Sequence, residues 1–156
     1  MAGSATGKPA AHARRKARRA LVQATYQWQM NDAGTAVLRA EFHDSRALAK
    51  ADRDFFDDVL EKVTGQAAGL DAAFSEFLDR DVAALDQVEL AILRLGACEL
   101  LNREDVPYRV VIDEYVELAK LFGAEQSYKY VNGVLDKVAN KVRAGERSGD
   151  ASSATN

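Results

Sequence analysis

Apolar residues recur every three or four positions along most of the chain, which is the spacing of an amphipathic α-helix. Ala17, Leu21, Ala24 and Trp28 follow this spacing and predict a first helix over about residues 10–31. Further helices are predicted over about 35–49, from 52, through 70–78, over 86–101 and 107–122, and up to about 143. Strand-like alternation of useful length is absent and the chain has only two prolines, so the sequence predicts an all-α protein.

The predicted helices fall into one domain with two halves. Gly65 and Gly69 bracket a break in the pattern, which divides the predicted helical domain of about 9–143 into sub-bundles of about 9–66 and 68–143. Residues 1–8 and 144–156 are small, polar and aperiodic, so they bury too little apolar surface to offset the entropy lost on ordering. We predict that both ends are disordered tails.

Charge is distributed unevenly along the chain. All six basic residues of the first thirty positions lie between Lys8 and Arg19, without an acidic residue among them. Because the whole chain has 21 Lys and Arg against 24 Asp and Glu, the remainder keeps 15 basic residues against 24 acidic ones. A basic arm on an acidic body indicates a local surface for a polyanion.

The sequence offers little for catalysis. The two histidines, His12 and His43, have no nucleophile in a recognisable pattern, and no glycine-rich phosphate loop follows a strand. The carboxylates at 113, 114 and 117 lack a histidine or a further converging acid, so they favour a solvated helix face over a metal site. We predict no enzymatic activity, no metal and no cofactor.

The apolar segments are too short to span a membrane, which bears on the compartment of the protein. No run approaches the roughly 18 apolar residues of a membrane span, and the segment after the basic arm lacks a signal-peptide cleavage site. The single cysteine, Cys98, lies in the most apolar helix and is predicted to be a core residue. A cytoplasmic protein is the expectation.

Two local features leave alternatives open. Tyr26 and Trp28 on the first helix could stack on unpaired bases, although aromatic residues at helical spacing are more often part of a core. Gly133 in the last helix costs about 1 kcal/mol relative to alanine, which either close helix packing or access of a ligand to the backbone would explain.

Several segments, in order, resemble one family. They are ARRKARRALVQATYQWQ at 13–29, DQVELAILRLGACELL at 86–101 and VPYRVVIDEYVELAKLFGAEQSYKYVNGVLDK at 106–137. In these segments and over about residues 8–143 the chain is similar to the NusB family of bacterial transcription antitermination factors. The resemblance implies an all-helical fold of two small helical bundles packed together.

The resemblance also implies a function and its site. Such a protein would bind the boxA element of nascent ribosomal RNA together with NusE, a small-subunit ribosomal protein, and help RNA polymerase to elongate past terminators. Glu89 matches a position on the surface that would bind NusE. When free, the protein could be a monomer or could self-associate, and the sequence is compatible with both. Carried over by position, the RNA-binding residues would be Arg14, Arg15, Lys16, Arg18, Gln23, Tyr26, Lys129 and Tyr130.

Two positions depart from the family pattern. Tyr130 stands where many relatives have phenylalanine, and its hydroxyl could donate to a base edge. Gln126 occupies a position that is often acidic, so repulsion of RNA there would be lower.

Two other classes of function are compatible with parts of the pattern. NusB-like domains also occur fused to RNA cytosine methyltransferases, but this chain has no βα-patterned catalytic domain. A pure protein-interaction module, in which the basic arm only adds solubility, would bind its partner without any response to RNA.

Overall fold

The computed structural model describes residues 8–31 and 33–147, and every regular element within these ranges is helical. The prediction of an all-α protein is therefore confirmed. In the same part of the chain, the 3₁₀ turns Arg46–Leu48 and Val82–Ala84 lie between longer helices. The α-helices are α1 (Lys8–Met30), α2 (Thr35–His43), α3 (Arg53–Gly65), α4 (Ala67–Ser75), α5 (Gln87–Asn102), α6 (Tyr108–Phe122) and α7 (Ser127–Val142).

The chain divides into two compact units, one ending at Gln66 and one beginning at Ala67. In the first unit, α1 packs on α2 and α3 around buried side chains that include Leu21, Phe56 and Leu60. Asp52 fixes the start of α3 because its carboxylate accepts the Phe55 N–H at 3.0 Å. This unit holds the basic arm.

The predicted second helix is shorter than its pattern suggests. It ends at His43, and the Ser45 hydroxyl then accepts the Ala47 N–H at 3.2 Å, which starts a separate 3₁₀ turn. A serine side chain that satisfies a backbone donor in this way favours a turn over a continued α-helix. The prediction of one helix over 35–49 is therefore wrong beyond residue 43.

In the second unit, α5 is the central helix and contacts α4, α6 and α7. Gly96 lets α7 come close, because a Cβ at this position would lie 2.7 Å from Leu135 Cδ1. Gly133 is different: it is exposed, and a Cβ there would meet no atom within 4 Å. Close packing therefore does not explain Gly133, and access of a ligand to the backbone stays a prediction.

At the end of the second unit, regular structure continues past residue 143, where the sequence predicts it to stop. The buried Arg143 guanidinium donates to the carbonyl oxygen of Leu100, in the last turn of α5, at 2.7 Å and to that of Arg103, just after α5, at 2.9 Å. Carbonyl groups in the last turn of a helix have no partner within the helix, so Arg143 supplies one for Leu100. Glu146 accepts from Arg143 at 2.6 Å and from the Tyr108 N–H at 2.9 Å. These bonds hold residues 144–147 in a further helical turn, so the predicted tail does not begin at 144.

At the other end, α1 already includes Lys8, which the sequence assigns to a tail. The rest of the two predicted tails, 1–7 and 148–156, lies outside the described residues.

Candidate nucleic-acid interface

The outward side of α1 carries a continuous row of polar, cationic and aromatic side chains. Arg15, Arg19, Gln23 and Tyr26 follow one another at intervals of four, four and three residues, and all four are exposed. This spacing places them on one helix face, which we call the outer stripe. Tyr26 is 37 % exposed, so the interpretation of this residue as core does not hold.

Two of the predicted RNA-binding arginines point the other way. Arg18 is only 3 % exposed, and its guanidinium lies 4.9 Å from the centre of the Phe55 ring. Arg14 is half-buried and lies 4.8 Å from the same ring centre. The methylene groups of arginine can lie along an apolar surface, and a cation over an aromatic face is attracted to it. The structure thus assigns Arg18, and partly Arg14, to the packing of the first unit.

Asp52 links α1 to the start of α3. Its N–H donates to the Ala13 carbonyl at 3.0 Å, and the Arg14 Nε donates to its carboxylate at 3.4 Å. The same carboxylate caps α3 through Phe55. The position of Arg14 therefore depends on the helix cap as well as on the aromatic ring.

Lys16 is half-buried on α1, between the outer stripe and the packed side of the helix. The remaining two predicted RNA-binding residues, Lys129 and Tyr130, lie in the first turn of α7 in the second unit. Lys129 is exposed and Tyr130 is half-buried. Six of the eight predicted RNA-binding residues therefore belong to the first unit and two to the second.

Tyr130 is tied to a short bend between α4 and α5. Its hydroxyl donates to the Asp79 carboxylate at 3.0 Å and accepts the Asp79 N–H at 3.3 Å. The Arg80 guanidinium lies 4.9 Å from the centre of the Tyr130 ring. Because the hydroxyl already donates to a carboxylate within the protein, the prediction that it donates to a base edge does not fit this geometry.

Hydrogen bonds and burial at this bend favour the charged forms of Asp79 and Arg80 and the neutral form of the Tyr130 phenol. Hydrogen bonds from Arg80 and then from Tyr130 lower the pKa of the Asp79 carboxyl below its ordinary value. The hydrogen bond to Asp79 raises the pKa of Arg80. Desolvation, above all, raises the pKa of the Tyr130 phenol, so this group stays protonated at neutral pH.

Glu89, predicted on the NusE side, lies in the first turn of α5. It is 9 % exposed, and its carboxylate accepts the Ser127 hydroxyl at 2.6 Å. The bond joins the starts of α5 and α7 in the second unit. A role of Glu89 in binding a partner stays a prediction. In the structure, Glu89 forms a hydrogen bond within the second unit.

Three residues lie next to predicted RNA-binding residues in the structure but are missing from the set predicted from the sequence. Arg19 extends the outer stripe, and its spacing of four from both Arg15 and Gln23 is a signal that the sequence already contained. Asp79 and Arg80 meet Tyr130 across about fifty residues of sequence, so no local pattern could have connected them.

Among the described residues, neither a group of metal ligands nor a membrane-spanning helix is found. Within 8–31 and 33–147, no three His, Cys, Asp or Glu side chains are grouped to hold a metal ion. Cys98 is buried, as predicted. None of the helices in the same part of the chain has the length and apolar character needed to cross a membrane.

Comparison with known proteins gives one consistent result. The NusB family model matches residues 15–140. The transcription antitermination protein NusB of Alcanivorax borkumensis is 57 % identical over 136 residues, which cover 87 % of this chain and 91 % of the relative. That of Ralstonia nicotianae is 50 % identical and covers 88 % and 89 %. A solved structure of T. maritima NusB is 30 % identical, with a TM-score of 0.70 over 81 % of this chain and 89 % of the other. This chain belongs to the NusB family.

Proposed function

We propose that this protein carries out the transcription antitermination function of its family by binding the boxA element of nascent ribosomal RNA together with NusE. The bound pair then acts on the elongating RNA polymerase in the cytoplasm and helps it to pass terminators. The protein would act as an RNA-binding scaffold without a catalytic step or a cofactor.

The observation that carries this proposal is the outer stripe. Two arginines, a glutamine and a tyrosine share one exposed face of α1. Arg15 and Arg19 can neutralise RNA phosphates, while Tyr26 offers an aromatic face to an unstacked base. Single-stranded RNA is recognised by this combination of basic and aromatic side chains, whereas a stripe that only increased solubility would not need the aromatic residue.

Contacts with phosphates and contacts with bases would contribute differently to the specificity of RNA binding. Phosphate contacts are independent of sequence and weaken with salt, since bound cations are released from the RNA. Base contacts by Tyr26 in the first unit, and base contacts close to Tyr130 in the second, would supply the preference for boxA. The acidic remainder of the chain, with 24 Asp and Glu in all, would restrict RNA to these surfaces.

Fluorescence anisotropy with a labelled boxA RNA and a scrambled RNA of the same composition tests the proposal. Each RNA is titrated with the protein alone and with the protein plus NusE, at two salt concentrations. We expect tighter binding to boxA than to the scrambled RNA, and a larger difference when NusE is present. Equal, weak binding that salt abolishes on both RNAs would contradict the proposal.

Matched variants locate the effect on the protein. The double substitution Arg15→Ala with Arg19→Ala should weaken binding to both RNAs and lower the salt dependence. Arg46→Ala removes an exposed arginine outside α1 and should leave both unchanged. Retained NusE binding without any response to RNA would favour the protein-interaction module instead.

A further inference from the structure

The bend before α5 and the first turn of α7 form a small cluster, of which the predicted site includes only the tyrosine. It consists of Asp79, Arg80 and Tyr130, and we call it the Tyr130 clamp. All three residues belong to the second unit, so their mutual geometry is defined within one compact body.

Arg80 is held by two hydrogen bonds to its neighbour. Its Nε donates to Asp79 Oδ1 at 2.6 Å and its Nη2 donates to Asp79 Oδ2 at 3.1 Å. This bidentate pairing fixes the guanidinium more firmly than a single contact would. The group is thereby kept over the Tyr130 ring, 4.9 Å from the ring centre.

Tyr130 is held by the same aspartate. Its hydroxyl donates to the Asp79 side chain and accepts from the Asp79 main chain. These two bonds fix the ring at its far end, and α7 fixes it at its Cα. Tyrosine and arginine are therefore arranged as a pair before any ligand arrives.

Arg80 nevertheless remains open to solvent. Its side chain is 45 % exposed, although one side of its guanidinium is covered by the ring. A guanidinium is planar, weakly hydrated and a known surface for stacking of unpaired bases. An ordinary surface ion pair between neighbouring residues would contribute little to stability, so packing alone gives this arrangement no evident use.

We propose that Arg80 is an RNA-binding residue of this protein: its guanidinium, supported by Tyr130, receives an unstacked base on its solvent side, and Asp79 positions it. The inference rests on the proposed RNA-binding function. It assigns the contact with the base to Arg80 and makes Tyr130 the layer beneath it.

Two substitutions of Arg80 test the planar platform. Arg80→Lys keeps the charge but loses the planar group, whereas Arg80→Ala loses both. We expect Arg80→Ala to lower boxA affinity by about tenfold, in the range of one lost stacking contact. Arg80→Lys should keep the salt dependence of the parent protein yet lose most of the preference for boxA over scrambled RNA. Circular dichroism and urea unfolding confirm that both variants fold.

Two aspartates provide a matched pair for the positioning role. Asp79→Asn and Asp81→Asn each remove one exposed negative charge from the same bend. Both should raise the affinity for scrambled RNA slightly, because repulsion of phosphates falls. Only Asp79→Asn should lower the ratio of boxA to scrambled affinity, by about twofold to threefold, because only Asp79 holds Arg80.

Each other outcome overturns the inference. If Arg80→Lys behaves like the parent protein, the charge alone matters. If Arg80→Ala binds boxA more tightly, Arg80 covers a ring that the base itself needs. If neither Arg80 variant changes binding while Arg15→Ala with Arg19→Ala does, this inference fails and the proposed function stands. If the parent protein shows no preference for boxA, both fail.

Discussion

The first helix carries two pairs of arginines with the same spacing and opposite surroundings. Arg14 and Arg18 lie over the Phe55 ring, and Arg18 is buried. Arg15 and Arg19, one position further along, are exposed on the outer stripe. A shift of one residue turns a side chain by about 100° around the helix, which is enough to move it from the packed side to solvent. The arginines of the basic arm therefore differ in role: Arg18, and partly Arg14, pack within the first unit, whereas Arg15 and Arg19 face solvent.

The largest effect should come from the buried member of the inner pair. Arg18→Ala removes a buried side chain and its contact with Phe55, so we expect the free energy of unfolding to fall by about 2–4 kcal/mol. Urea unfolding monitored by circular dichroism measures this change. Arg19→Ala is the matched control, with an expected change within about 0.5 kcal/mol. Equal stability of the two variants would remove the distinction between the pairs.

The aromatic residue of the outer stripe should have the next largest effect. Tyr26→Ala removes a stacking face, which should weaken boxA binding by about 1–3 kcal/mol and affect scrambled RNA less. Tyr26→Phe keeps the ring and should bind nearly as the parent protein does. Anisotropy titrations with both RNAs distinguish these results. Equal losses for alanine and phenylalanine would mean that the hydroxyl, and not the ring, is used.

The exposed arginines should each have a smaller and less selective effect. Arg15→Ala or Arg19→Ala should weaken binding to boxA and to scrambled RNA alike, by about 1 kcal/mol. The slope of log affinity against log salt should fall by about 0.7 for each lost contact with single-stranded RNA. Titrations at four salt concentrations give this slope. An unchanged slope would show that the outer stripe does not contact phosphates.

The smallest effects concern the support of the inner pair. Asp52→Ala removes both the cap of α3 and the partner of Arg14, and should reduce stability by about 1 kcal/mol. Asp52→Asn can still cap the helix and loses only the ion pair, so it should cost a few tenths of a kcal/mol. Thermal or urea unfolding compares the two. If both variants lose the same stability, the ion pair outweighs the cap.

Much of the fold could be predicted from local pattern. The starts of α3 and α5 follow from Asp52 and Asp86, which cap them, and the central position of α5 follows from apolar residues on more than one face. The order at residues 144–147 could not be predicted, because it depends on Arg143 reaching carbonyl oxygens of α5 about forty residues away. A polar composition indicates a tail only where no such distant partner exists.

The site was less accessible to sequence reasoning than the fold. Charge and spacing identify α1 as the basic element, and the resemblance adds Tyr130. Neither reveals that Arg18 is buried, since arginine is among the residues least often fully buried. The contact of Arg80 with Tyr130 requires the packing of α7 beside the bend before α5, which only the tertiary structure supplies.

We propose that the outer pair of arginines, Arg15 and Arg19, binds RNA, while the inner pair, Arg14 and Arg18, stabilises the first unit. Nuclear magnetic resonance of the arginine Nε–Hε groups during titration with boxA RNA observes all four side chains in one experiment. We expect the Arg15 and Arg19 signals to move with added RNA while the Arg18 signal stays in place. Movement of Arg18 with unchanged Arg15 and Arg19 signals would contradict this proposal.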